Sequence, residues 1–243
     1  MTMTLFYLAI LAVAVFSSAT ASVVGFGIGS LLTPLLASRY GTSAAVAAVT
    51  LPHFLATAMR CWRLRGDIER DVLRRFGLLS ALGGLCGALL YSQLGQPILT
   101  RILGALLVLT AMAQLTRWSS RWQPRGLMVQ CLGWVSGFFG GIAGNQGGLR
   151  AAALTAFRLT PSQFVATATA TGLLVDLARA PVYAWRSGSA MVALWVPITI
   201  AIAGVLAGTL LGERVLLGLS RERFGQIVGI AIGLLGLWLL VLA

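Results

Sequence analysis

The chain has no lysine and few acidic residues. All 18 of its basic residues are arginines, there are six Asp and Glu residues, and charged residues make up only 10% of the 243 positions. Most arginines lie in short segments between apolar runs, where they indicate membrane topology rather than a phosphate-binding surface. Aromatic side chains that stack on bases would need an exposed polar domain, and the sequence contains none. The composition therefore argues against a nucleic-acid partner.

Residues that carry catalysis or bind metals are also scarce. The single histidine, His53, and three widely spaced cysteines, Cys61, Cys86 and Cys131, form no metal-ligand motif and no disulfide framework. Six acidic residues are too few for paired acid–base chemistry, and the HExxH, GxSxG and Walker sequences are missing. We therefore expect no enzyme activity, no cofactor and no metal site.

Apolar residues are abundant, at 58% of the chain. They occur in runs near the length that crosses a bilayer, about 20 residues. Because a segment in lipid must satisfy its own backbone hydrogen bonds, each run is predicted to be helical. The sequence therefore predicts an all-α integral membrane protein in contact with lipid. Its eight predicted elements are 4–38, 42–62, 76–94, 97–116, 127–157, 160–185, 190–211 and 224–242.

Two of these elements are too long for one span and too short for two. Residues 1–38 carry no charge, and residues 126–157 lie between Arg125 and Arg158. As straight helices they would be roughly 50 Å long, against a hydrocarbon core of about 30 Å. Each contains a glycine cluster near its middle. We therefore predict that both elements are broken at their glycines, either as a kinked span or as a re-entrant hairpin.

The two halves of the chain resemble each other. The segment GFGIGSLLTPLLASRYGTSAAVAAVT corresponds to AGNQGGLRAAALTAFRLTPSQFVATAT after a shift of about 118 positions. Both segments contain a glycine cluster, a short apolar stretch, an arginine and an Ala/Val/Thr-rich helix. We predict two homologous repeats of about four helical elements each, at 1–116 and 127–243, joined by a cytoplasmic linker at 117–126.

The distribution of arginines bears on how the repeats are oriented. Arg150 and Arg179 lie within apolar elements and are left out of the count. Kinked spans give parallel repeats, with ten arginines on one side of the membrane and six on the other. Re-entrant hairpins give inverted repeats, with thirteen on one side and three on the other. The positive-inside rule favours the inverted arrangement, and both stay open at this point.

The breaks are candidate anion sites. A helix broken at membrane depth exposes N–H groups that must face protein, water or a ligand. We expect Ser30 and Asn145 to be N-caps of the second halves, where these N–H groups and the helix dipole attract anions. Arg150 shares a helix face with Gln146 and offers a bidentate fork to an oxyanion. Alternatively, Arg150 snorkels to the interface or pairs with Asp176, and the glycines serve packing alone.

Further candidates lie on the helices that follow the breaks. His53 is either a proton-coupling or substrate-contacting group or a satisfied core histidine, because imidazole changes charge near neutral pH. Thr50 is a second choice, since a threonine in a helix often bonds its own backbone. Asp176 and Arg179, three positions apart, are expected to form an ion pair. The predicted substrate-binding set is Gly27, Gly29, Ser30, Thr50, His53, Asn145, Gln146, Gly147, Gly148 and Arg150.

Glycines at four-residue spacing occur on two later elements, at 204–212 and 225–233. Such spacing lets helix backbones approach closely. Within one chain it serves packing, and between chains it would support a homo-oligomer.

These segments resemble a known family. GFGIGSLLTPLLASRYGTSAAVAAVTLPHFLATAMRCWRLRGDI and SGFFGGIAGNQGGLRAAALTAFRLTPSQFVATATA are similar to the two repeats of the TauE/SafE family of sulfite exporters and related permeases, over nearly the whole chain. The resemblance implies a multi-pass carrier of the inner membrane that moves a small anion, often a sulfur oxyanion such as sulfite or an organosulfonate, without hydrolysing ATP. The first break has fewer glycines than the family's usual run, and the second lacks a proline corresponding to Pro34. A small-anion channel of the same architecture and a membrane scaffold subunit are the alternatives.

Overall fold

The computed structural model describes residues 2–116, 126–145, 147–215 and 221–242, with side chains left undescribed at 213–215, 221–225 and 242. The predicted linker, apart from Gly126, and the candidate Gln146 lie outside these ranges. All regular secondary structure in the described ranges is helical. The all-α prediction is therefore confirmed for this part of the chain.

The described ranges contain ten helices of eight residues or more, each overlapping a predicted element, and the first and fifth predicted elements each correspond to two of them. Five of the ten are long and apolar enough to cross a membrane: α1, α3, α4, α5 and α9. The chain is thus built as a multi-pass membrane protein. The helices are α1 (Met3–Val24), α2 (Ile28–Tyr40), α3 (Thr42–Arg63), α4 (Arg70–Tyr91), α5 (Gln96–Leu115), α6 (Leu127–Ala143), α7 (Gly147–Leu154), α8 (Pro161–Ala193), α9 (Trp195–Val215) and α10 (Arg221–Leu242).

Glycines in the left-handed region end α1 and α6. Gly25 has φ +89° and Gly144 has φ +69°, a conformation that side chains with a Cβ rarely adopt. The next helix begins within three residues in each case. The predicted N-cap role of Ser30 is wrong, because Gly27 is the N-cap and Ser30 is the third residue of α2. The turn is completed by residues 25–27, so the helix starts before the serine.

The first of these turns reverses the direction of the chain. The rings of Phe6, near the start of α1, and Tyr40, at the end of α2, have centroids 5.7 Å apart. The Arg39 guanidinium lies 5.3 Å from the centroid of the Phe6 ring. At the other end, a Cβ on Gly27 would lie 3.2 Å from the carbonyl oxygen of Ser17. Helix α2 therefore runs back along α1, and the two form a helical hairpin.

Glycines allow close contact between helices distant in sequence. A Cβ on Gly208 of α9 would lie 2.2 Å from the Val15 carbonyl oxygen of α1, and one on Gly137 of α6 would lie 1.8 Å from the Ser80 carbonyl oxygen of α4. The predicted close approach at 204–212 is confirmed, and it occurs within the chain. Helix α1 already covers the glycine face of α9, and a homo-oligomer through glycine-rich faces stays a prediction.

Two other helix pairs are antiparallel. Along α5 and α10, a Cβ on Gly104 would lie 2.9 Å from Leu240, whereas Gly229 lies beside Leu115 at the opposite end. Helices α3 and α8 pack side by side, with His53 against Asp176 at the middle and Ser162, near the start of α8, bonded to Asp67, just after the end of α3. This second pair places the centre of α3 beside the two turns between α1 and α2 and between α6 and α7.

Candidate functional site

A small cavity lies where the two turns meet the centres of α3 and α8. About 10 Å³ of it is open to the centre of a water molecule, which is roughly the room for one water. Residues of both turns contribute to its wall, together with residues of four helices, α2, α3, α7 and α8. The lining residues are Phe26, Gly27, Gly29, Ser30, His53, Gly144, Asn145, Gly147, Arg150 and Arg179.

The two turns contact each other directly at this cavity. The Ser30 hydroxyl donates to the side-chain oxygen of Asn145 over 3.1 Å. A Cβ on Gly29 would lie 2.5 Å from the carbonyl oxygen of Gly144, well inside van der Waals contact. Position 29 therefore needs glycine for the backbones to come this close. Ser30 and Asn145 are thus brought together by a hydrogen bond that sequence reasoning did not identify.

Arg150 is buried at the cavity, with 3% of its surface exposed. Its Nη2 donates to the Gly25 carbonyl oxygen at 3.4 Å. Its Nε and Nη1 have no hydrogen-bond partner among the described residues. This burial is incompatible with a side chain that snorkels to the interface. The pairing with Asp176 considered from the sequence is also absent, because the Asp176 ion pairs among the described residues are with His53 and Arg179.

Asn145 presents a second unpaired donor to the same cavity. Its exposed fraction is 3%, its Oδ1 accepts the hydrogen bond from Ser30, and its Nδ2 lacks a partner in the described part of the chain. The groups left unsatisfied on Asn145 and Arg150 are therefore all N–H donors. Buried polar groups are nearly always paired in folded proteins, so the cavity suits a ligand that accepts hydrogen bonds.

A second buried cluster adjoins the first and is centred on Asp176, whose two oxygens are both paired. Asp176, with 0% exposure, accepts from Arg179 Nε at 3.0 Å and lies 2.8 Å from its Nη2. Its other oxygen is 2.6 Å from His53 Nδ1 and accepts from the Thr57 hydroxyl at 3.1 Å. Arg179 Nη1 donates to the Gly140 carbonyl oxygen at 2.6 Å. The predicted Asp176–Arg179 ion pair is confirmed, whereas the contact between Asp176 and His53 was not predicted.

Most of the predicted site residues do line the cavity. Thr50 does not, because its hydroxyl donates to its own helix at the Val46 carbonyl oxygen, 2.9 Å away. Gly148 does not either, since it packs on α5, where a Cβ would lie 2.1 Å from the Thr110 hydroxyl. The structure adds lining residues that the sequence did not suggest, among them Arg179. The only signal for Arg179 in the sequence was its position near Asp176, because a buried carboxylate needs a cationic neighbour.

The electrostatic balance at the cavity is positive. Arg150 and Arg179 each carry one positive charge and Asp176 one negative charge, which leaves one positive charge when His53 is neutral. Asp176 is already bonded to Arg179, so the unbalanced charge resides on Arg150. An unpaired guanidinium with a neighbouring amide donor is suited to bind a small anion.

Comparison with known proteins agrees with this chemistry. The family described as sulfite exporter TauE/SafE matches residues 10–239. Neither the curated proteins nor the solved structures contain a match to the chain. Members of the matched family are transporters rather than enzymes. Because the match spans almost all 243 residues, the chain belongs to the TauE/SafE sulfite exporter family, whose members are membrane transporters of the sulfite and sulfonate type.

Proposed function

We propose that this protein is a secondary transporter of the inner membrane that moves a small anion, a sulfur oxyanion such as sulfite or an organosulfonate, and that it is not an enzyme. The observation that carries the proposal is the buried guanidinium of Arg150, with two nitrogens unpaired at a cavity shared with the free Nδ2 of Asn145. Sulfonate and sulfite oxygens are acceptors that would satisfy these donors.

The energetics favour a bound anion over an empty site. A buried donor without a partner costs about 1–3 kcal/mol, and more when it is charged. Arg150 and Asn145 together leave three nitrogen atoms without partners among the described residues. An anion in the cavity would recover part of that cost and neutralise the excess positive charge. Gly27, Gly29 and Gly147 line the same cavity, so the ligand would lie beside main-chain atoms of both turns.

We also propose that residues 1–116 and 127–243 are inverted repeats. A two-fold axis along the membrane normal would place equivalent helices parallel, whereas an axis in the membrane plane makes them antiparallel. The last helices of the two halves, α5 and α10, are antiparallel, and α2 turns back along α1. The first of these contacts supports inverted repeats, and the second supports a re-entrant hairpin in the first half. The thirteen arginines of the richer side then face the cytoplasm.

The size of the cavity favours a carrier over an open channel. Room for about one water molecule is much less than an open anion pore needs, which supports a carrier whose site opens by a change of conformation. A scaffold subunit would not need an unpaired charge at its centre. Both alternatives are outcomes of the following experiment.

The test is uptake of radiolabelled sulfite and methanesulfonate by proteoliposomes containing the purified protein. Wild type should show saturable uptake that is accelerated by unlabelled anion inside the vesicles. Arg150→Ala should reduce uptake about 10- to 100-fold, since hydrogen bonds to a charged group contribute about 1.5–3 kcal/mol. The matched control is Arg158→Ala, which removes an exposed arginine from the same half of the chain and should leave uptake unchanged.

Three results would contradict the proposal. If wild type takes up neither sulfite nor methanesulfonate, the proposed substrate class is wrong. If Arg150→Ala takes up anion at the wild-type rate, the proposed binding site is wrong. Anion conductance that does not saturate would show a channel instead of a carrier.

A further inference from the structure

We propose that His53, held by Asp176, is the proton-binding group of the anion site, so that a proton and an anion bind together. This inference rests on the proposed function and adds the coupling ion to it. The charge and geometry around His53 carry the argument.

The position of His53 joins the two buried clusters. It is the twelfth of the 22 residues of α3, its side chain is 12% exposed, and it lines the cavity with Arg150 and Asn145. On its other side, its Nδ1 lies 2.6 Å from Asp176 Oδ2. The imidazole is therefore the only side chain that contacts the Asp176 carboxylate and also changes charge near neutral pH.

The hydrogen bond to Asp176 fixes which nitrogen titrates. Asp176 already accepts three other hydrogen bonds or ion-pair contacts from Arg179 and Thr57, so it acts as an ionised acceptor. Nδ1 then carries a hydrogen toward it, and Nε2 is the nitrogen that gains or loses a proton. Neutral His53 presents a lone pair at Nε2, and protonated His53 presents an N–H donor with a positive charge.

These two forms have opposite effects on an anion in the cavity. The lone pair of the neutral ring repels oxyanion oxygens, whereas the N–H of the charged ring donates to them. Without an anion, protonation adds a positive charge beside Arg150 and Arg179, which is unfavourable. A bound anion offsets that added charge. Protonation and anion binding therefore favour each other, and the coupling is reciprocal.

The charged groups that face His53 come from two helices. They are Asp176 and Arg179 on α8, beside Tyr183, and Arg150 on α7. On α3 itself, Arg60 and Arg63 lie in the last turn, and the side chains of Glu213 and Arg214 on α9 lie outside the described set. The remaining charged or titratable side chains on elements packed against α3 are outside the cavity lining: Arg39, Tyr40, Arg65, Asp67, Arg101 and Arg186.

The test measures methanesulfonate binding by protein purified without a histidine tag, at pH 6 and pH 8. Methanesulfonate is ionised at both pH values, so any pH dependence comes from the protein. His53 is the only histidine, and His53→Gln therefore removes all imidazole titration. We expect wild-type affinity to fall about tenfold from pH 6 to pH 8, as an ordinary coupling between two sites would give, and the His53→Gln affinity to be equal at both.

Thr57→Val is the matched control. It removes a neighbouring hydrogen bond to Asp176 without removing the titrating group, and it should keep the wild-type pH dependence. The inference is overturned if wild-type affinity is the same at both pH values, or if His53→Gln keeps the dependence. Failure of wild type to bind methanesulfonate and sulfite at either pH would instead overturn the proposed function.

If the His53→Gln variant does not fold, the inference can be tested on the wild-type protein instead. With ¹⁵N-labelled histidine, the two ring nitrogens of His53 give the only imidazole signals. Addition of methanesulfonate at pH 7 should increase the charged form of the ring. A ring whose protonation state is unaffected by the anion would contradict the inference.

Discussion

Arg150 and Arg179 lie 29 positions apart in the same apolar half of the chain and line the same cavity. Their exposed fractions are 3% and 1%. Arg179 bonds Asp176 and the Gly140 carbonyl oxygen through all three of its nitrogens. Arg150 has one 3.4 Å bond, and its other two nitrogens have no partner among the described residues. Burial alone therefore does not distinguish the two arginines, and their hydrogen-bond partners do.

The difference arises from the helices that carry them. Arg179 lies on the long helix α8, three residues after Asp176, so its counter-ion is on the same helix face. Arg150 lies on α7, which has only eight residues and begins just after a break. No acidic residue occurs within seven positions of Arg150 on either side. Its charge can only be met by another segment or by a ligand.

The largest effect should follow loss of the satisfied arginine. Arg179→Met leaves Asp176 buried without its guanidinium partner, and breaking a buried pair by removing one member costs about 3–5 kcal/mol. We expect a large drop in thermal stability in detergent, monitored by circular dichroism. The double variant Arg179→Met with Asp176→Leu should recover part of the loss. If Arg179→Met is as stable as wild type, the two arginines do not differ in their contribution to stability.

Loss of the unsatisfied arginine should affect binding instead of stability. Arg150→Met removes an unpaired buried charge and keeps an apolar stem of similar length, so the free energy of unfolding without anion should stay the same or rise by about 1–3 kcal/mol. Binding of sulfite and methanesulfonate should weaken by at least tenfold, measured by titration calorimetry. A drop in stability as large as that of Arg179→Met would show that Arg150 is structural.

The contact between the two turns should be sensitive to a single methyl group. Gly29→Ala places a Cβ 2.5 Å from the Gly144 carbonyl oxygen, and the backbones must separate, at a cost of about 1–3 kcal/mol. We expect lower stability and weaker anion binding together. Gly66→Ala is the control, because its Cβ would meet no atom within 4 Å. Wild-type binding by Gly29→Ala would show that the turns need not touch to form the site.

The smallest effect is expected where a glycine makes room for the Arg150 guanidinium. A Cβ on Gly172 would lie 2.8 Å from Arg150 Nη1, the end of a flexible side chain that is able to move. Gly172→Ala should therefore lower anion affinity severalfold while thermal stability stays the same or increases, since alanine is the better helix former by about 1 kcal/mol. Unchanged affinity would mean that the position of this nitrogen does not matter.

The sequence was sufficient for features that depend on neighbouring residues. The glycine clusters at 25–29 and 140–148 and the excess length of two apolar elements predicted a break in each, and α1 and α6 end at these clusters. A spacing of three predicted the Asp176–Arg179 pair. Arg150 stood out because it is charged within an apolar run. Each of these inferences needed only local geometry and the thickness of a bilayer.

Contacts between helices could not be predicted in the same way. His53 and Asp176 are 123 positions apart, and Ser30 and Asn145 are 115 apart, so their pairing depends on how α3 meets α8 and how the two turns cross. The sequence also did not show which face of each helix lines the cavity. Thr50 and Gly148 were therefore predicted as site residues although they face elsewhere. A single sequence gives the helices but not their packing partners.

The most direct test of the account is the effect of sulfite and methanesulfonate on the thermal unfolding of wild type and Arg150→Met. A ligand that binds only the folded state at 100 times its dissociation constant stabilises it by about 2.7 kcal/mol. We expect the anions to raise the unfolding temperature of wild type and to raise that of Arg150→Met by at most about half as much, because binding that is at least tenfold weaker gives at most about 1.4 kcal/mol at the same concentration. Equal stabilisation of both proteins, or of neither, would contradict the claim that Arg150 holds the anion.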